Sequence, residues 1–169
     1  MAAAVSMTRL NAAPVIFASR AWPLAATAQA VDIEQWNSTR ADLFSKVCMG
    51  SAPSFSAFEA NAVAAGFTAA QDRLVVEPDV TVELLSDIGL CRCLMMMGAP
   101  DPTALADEIV ATLQSDFPGS WGPDTGQKEL GSKAFFLDGV PIHLGIVPTS
   151  HEQQPGIVAS ARVTGDCPA

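Results

Sequence analysis

The chain has 169 residues, nearly half of them apolar, with 18 acidic against 9 basic side chains and a formal net charge of -9. That length and apolar content suit one folded domain and exclude a disordered tail. The acidity excludes binding driven by attraction to phosphate backbones or anionic lipid surfaces, so neither nucleic acid nor a membrane surface is an expected partner.

Residues 1–30 stand apart. No Asp or Glu precedes Asp32, while Arg9 and Arg20 both fall in this stretch. Arg9 leads into an apolar run at 12–18, and a second Ala-rich run ends in Ala28-Gln29-Ala30. Basic, then apolar, then small residues is the order of a secretory signal peptide. Arg20 and Pro23 interrupt it, and Met7-Thr8-Arg9 would give a tighter start. We read 1–30 as a signal peptide, with a disordered N-terminal segment or an organelle-targeting peptide as rivals, and 31–169 as a single domain. The expected location is periplasmic or secreted, organelle-targeted being the alternative. No run of about 18 apolar residues is present, so no membrane span is expected.

The predicted elements follow in chain order. Residues 32–47 space Ile33, Trp36, Leu43, Phe44 and Val47 as one face of a helix. A second helix, capped by Ser54 or Ser56 with Glu59 at capping-box spacing, buries Phe55, Phe58, Ala62 and Val63 and stops at Gly66. Strands are expected at 73–77, 80–85 and 90–97. Asp101-Pro102 opens a third helix lined by Leu105, Ile109, Val110 and Leu113. A Gly/Pro/Ser/Trp loop occupies 118–131. Strands at 133–137 and 140–147 flank Asp138-Gly139, a strong hairpin signal, and 157–163 is the last strand. Clustered strands point to the α+β class: a two-layer domain with a largely antiparallel sheet, about three helices on one face, and the order ααβββαβββ. A helix followed by three strands occurs twice, without residue-level repetition.

Four cysteines, Cys48, Cys91, Cys93 and Cys167, lie beyond the expected cleavage point. In an oxidising compartment an even set reads as a disulfide framework. A bond between Cys91 and Cys93 would close a strained ring between same-side strand residues. Cys48 therefore pairs with one of them and Cys167 with the other, and the two possibilities stay open.

Strand alternation puts Cys91, Cys93, Met95 and Met97 on one face, a stripe of soft donors of the kind that selects Cu(I). Against copper binding stand oxidised cysteines and methionines serving as core filler. Only His143 and His151 can act as imidazole bases. His143 alternates with Ile142 and Leu144 within a strand, and His151-Glu152 lacks the second His of a zinc-protease motif. The best recognition candidates are Trp121, with Asp124 beside it in the loop, and His143; the competing reading folds Trp121 down over the sheet. No catalytic set is complete and no resident cofactor is expected. The leading expectation is a small, exported, disulfide-stabilised envelope domain, non-enzymatic, that binds a protein or small ligand. A copper protein using the Cys/Met strand face is the alternative, and an enzyme of undetermined class comes third.

Overall fold

Asp32 starts the first helix, its carboxylate accepting from the backbone N–H groups of Glu34 and Gln35 at 3.1 and 3.3 Å. Helix α1 (Ile33–Phe44) then widens into a π-helical turn, Ser45–Met49, that carries Val47, Cys48 and Met49 into the core. The buried hydroxyl of Ser51 closes this end by donating to the carbonyls of Val47 and Cys48. These features belong to the computed structural model, which describes residues 32–70, 73–118, 121–124, 131–151 and 154–168, with backbone alone at 123, 124, 131, 132 and 151. The N-terminal segment read as a signal peptide lies outside the described residues.

Two helical faces differ from the expected stripes. In α1 the buried positions are Asn37, Arg40, Ala41 and Phe44, whereas Ile33 is 54% exposed. The reason is Arg40, whose guanidinium stacks 3.5 Å over the Trp36 ring and reaches Glu77 and Asp79 at 2.8 and 2.9 Å. Satisfying the cation from three sides lets a charged residue displace an apolar one from the buried face. Helix α2 (Phe58–Ala64) begins without a side-chain cap, because Ser54 and Ser56 bond each other instead. It buries Phe58 and Ala62, but Val63 is 66% exposed, since α2 is short and position 63 turns outward from that pair. Gly66, at φ +91°, ends it as expected.

The strands are β1 (Thr68–Ala70), β2 (Arg73–Glu77), β3 (Val80–Asp87), β4 (Leu90–Gly98), β5 (Trp121–Asp124), β6 (Gly131–Leu137), β7 (Val140–His151) and β8 (Gln154–Thr164). Between the two sets lies α3 (Pro102–Asp116), capped by the Asp101 carboxylate with proline in its first turn, the arrangement that Asp101-Pro102 predicts. The class is α+β, with all neighbouring strands antiparallel in the order β1-β2-β3-β4-β8-β7-β6-β5. Each half is a four-stranded meander preceded by helix, not three strands, and the halves join through β4 and β8. The two added strands are β1 and β5, and β5 falls inside the stretch expected to be loop.

Asp138 and Gly139, both at positive φ (52° and 79°), form the tight turn between β6 and β7. Gly98 is needed for another reason: a Cβ there would collide with the Asp79 carboxylate oxygen that Arg40 holds. Gly98→Ala should therefore push Asp79 off Arg40 and lower stability by about 1–3 kcal/mol, read from urea unfolding midpoints. An unchanged midpoint would mean that this contact bears no load.

The core lies between the helices and one parity of strand residues: Val80 and Val82 on β3, Met95 and Met97 on β4, Ile142 to Ile146 on β7, and Ile157 to Val163 on β8. Ser45 donates to the Asp116 carboxylate, tying the end of α1 to the end of α3. Two disulfides cross the core: Cys48–Cys93 fastens the π-turn to β4, and Cys91–Cys167 fastens the C-terminal tail to the same strand.

Candidate functional site

Strand alternation gives the sheet two unlike faces. On β4, Cys91, Cys93, Met95 and Met97 point into the core, while Leu90, Arg92, Leu94 and Met96 are half-buried. On β8, Ile157, Ala159, Ala161 and Val163 are buried, and Val158, Ser160 and Arg162 are half-buried. The buried residues of all three helices join the first set in one core. The opposite face of the sheet is thus left open by the described helices.

Cross-strand pairing organises the open face into rows. Leu85, Arg92, Arg162, His143 and Ala134 are successive partners across β3, β4, β8, β7 and β6. One step along the strands, Glu83, Leu94, Ser160 and Gly145 form a second row. A third holds Thr81, Met96, Val158 and Val147. Directly opposed side chains stand about 4.5–5.5 Å apart at Cβ, so Arg92 and Arg162 lie side by side. Leu94 stands in the mixed row next to them, and Met96, Val158 and Val147 form an apolar strip one row further. Leu85, Phe136 and Val147 are exposed, and Ile88 projects from the β3–β4 turn at 99% exposure.

His143 sits on this face, exposed, beside Arg162, and its side chain forms no hydrogen bond among the described residues. Trp121 lies elsewhere. Its ring packs 5.3 Å from Phe135, a core residue, with the Lys133 ammonium 5.9 Å away, and its indole N–H is buried without a partner among the described residues. Trp121 and His143 therefore occupy opposite faces and do not converge. The backbone of Asp124 pairs with Lys133 in β5–β6, but its side chain lies outside the described residues, as does that of His151.

The sulfur stripe is a core feature. Cys91 and Cys93 are both in disulfides, and Met95 and Met97 are buried at 0% and 2%. In this bonded state the stripe offers thioethers and no thiolate. Among the described residues, no three His, Cys, Asp or Glu side chains gather where an ion would fit.

Among the concavities of the described residues, two lie beside these strands. A cavity of about 50 Å³ between Thr81, Met96, Gly98, Thr149 and Pro155 is water-sized. A groove of about 500 Å³ lies between α2 and β2–β3, floored by Phe55, Phe58, Leu74, Val82 and Leu84.

The residues that sequence reasoning missed are Arg92 and Arg162. Alternation within 91–97 drew attention to the sulfur side, and the arginine on the other side is legible from the same pattern; its pairing with Arg162 is not. No family model, no curated protein and no solved structure matches the chain, so these surfaces carry the functional reading by themselves.

Proposed function

We propose that the chain is an exported, non-enzymatic binding domain that docks a protein partner on the open face of its sheet. The observation that carries this is the half-buried strip of Leu94, Met96 and Val158, with Val147 exposed beside it and the cationic row adjoining it. Protein interfaces combine an apolar centre with arginine, and they are flat, whereas small-molecule sites are concave. Export is supported by the two disulfides, which persist in oxidising compartments, and by the residue order of 1–30. No described helix is long and apolar enough to cross a membrane.

A second reading places a small ligand with both polar and apolar parts in the groove between α2 and β2–β3. Ser56, Glu59 and Glu83 stand there beside the apolar floor, and the volume of about 500 Å³ falls within the usual range for such sites.

Site-specific photo-crosslinking in the native host separates the readings. A crosslinker at Val147 should give a discrete protein adduct that Leu94→Asp abolishes, while one at Glu34 on α1 should give none. Adducts from Glu34 alone, or from both positions equally, would overturn docking on the open face. The intact mass of protein from the same cells should lack residues 1–30, and a full-length mass would overturn export.

A further inference from the structure

We propose that Arg92 and Arg162 form a two-guanidinium receptor for a carboxylate side chain of the docking partner. This rests on the open-face reading and adds the chemistry of the partner: an apolar segment bearing Asp or Glu. The two arginines are direct cross-strand partners on one face, both half-buried. Like charges placed directly opposite each other destabilise a sheet.

No ion pair with a described residue relieves that repulsion. Neither arginine forms an ion pair with a described residue, although the chain carries 18 acids against 9 bases. Arg40 and Lys46, by contrast, each find carboxylates. Arg162 has Arg92 on one side and His143 on the other, with Ser160 and Thr164 next along its own face. Glu83 and Asp87 stand only diagonally from Arg92, one step either side of its partner Leu85, and make no ion pair with it. The face therefore holds two planar, bidentate donors, side by side and half-buried, that make no ion pair with a described residue.

A carboxylate bridging the pair would remove the repulsion and gain charge-assisted hydrogen bonds. Leu94 in the adjoining row, with Met96 and Val158 one row further, fits an occupant whose other side chains are apolar. Nucleic acid and other polyanions do not fit, because each of their further charges meets the net charge of -9.

The test uses the full mature protein and three labelled twelve-residue peptides sharing a Leu/Val/Thr frame and carrying two Glu, two Gln or two Lys. Anisotropy at low salt should show the Glu peptide binding about 10-fold more tightly than the Gln peptide, the Lys peptide weakest. Arg92→Gln with Arg162→Gln should bring Glu and Gln peptides within about 2-fold of each other, the Glu peptide losing the more affinity. Without ligand, that double variant should melt about 1–3 °C higher than the parent, because it loses a repulsion and no internal partner. A lower melting point would make the pair structural and overturn the receptor. So would equal binding of Glu and Gln peptides, or inorganic phosphate displacing label that the Glu peptide cannot. In each of those cases, loss of all peptide binding in Val158→Asp keeps the open-face reading alive. Peptide binding that survives Val158→Asp, or no binding of any peptide, overturns both.

Discussion

Replacing Cys48 and Cys93 together by alanine should lower the unfolding free energy by about 5 kcal/mol. The bond closes a sequence separation of 45 residues, for which the chain-entropy treatment gives about 4 kcal/mol. Both sulfurs are fully buried where the π-turn meets β4, so their removal also leaves a void that adds about 1 kcal/mol. Chain entropy alone would rank the other bridge higher, because Cys91–Cys167 spans 76 residues. Its Cys167 end, however, is half-buried in the tail beyond β8, so Cys91/Cys167 replacement opens little void and about 4.5 kcal/mol is expected there, from chain entropy alone. Urea unfolding of the two double variants measures the order. A domain of this size has about 5–15 kcal/mol in total, so the Cys48/Cys93 variant should sit near the edge of folding. A loss below about 1 kcal/mol would mean that the Cys48–Cys93 bond is absent from the purified protein.

What the sequence made legible follows the range of the chemistry involved. Asp101-Pro102 and Asp138-Gly139 act on backbone groups a few residues away, so their positions alone predict a helix start and a tight turn. Strands β1 and β5 were not legible for the opposite reason. Thr68-Ala69-Ala70 is only three residues long, and Trp121-Gly122-Pro123-Asp124 has the composition of a turn. They are strands because β2 and β6 offer them edges to pair with. The join of β4 to β8 is the most distant fact of all. The alternation in 91–97 tells which residues share a face but not which strand lies alongside, and Arg92 meets Arg162 only through that join.

The candidate site divides in the same way. His143 was readable as an outward strand residue because its neighbours Ile142 and Leu144 are apolar, and it lies on the open face. Its setting beside Arg162 depends on the β7–β8 register, which no local pattern encodes. Trp121 drew attention by its composition-rich surroundings, yet its ring is engaged with Phe135 on the far side of the sheet. Residue type marked both as candidates, and topology alone separates them.

Arg40 is the clearest case of a partner set hidden from sequence, and it yields an ordering that runs against intuition. Its side chain is 4% exposed, while those of Glu77 and Asp79 are 48% and 38% exposed. Arg40→Met removes the buried charge, and the two carboxylates left behind can return to water. The loss should be about 1–2 kcal/mol, the Trp36 stack included. Glu77→Gln with Asp79→Asn keeps every shape but strands a guanidinium where water does not reach, and should cost about 3–4 kcal/mol. Arg40 Nε already lacks a hydrogen-bond partner among the described residues, so the cation has no reserve of donors to satisfy elsewhere. Removing the two partners should thus do more damage than removing the residue they hold, with matched urea slopes confirming that both variants unfold from the same native state. If Arg40→Met is the worse of the two, the clamp on Trp36 and the β2–β3 hairpin works by packing, and burial of its charge is not what sets its strength.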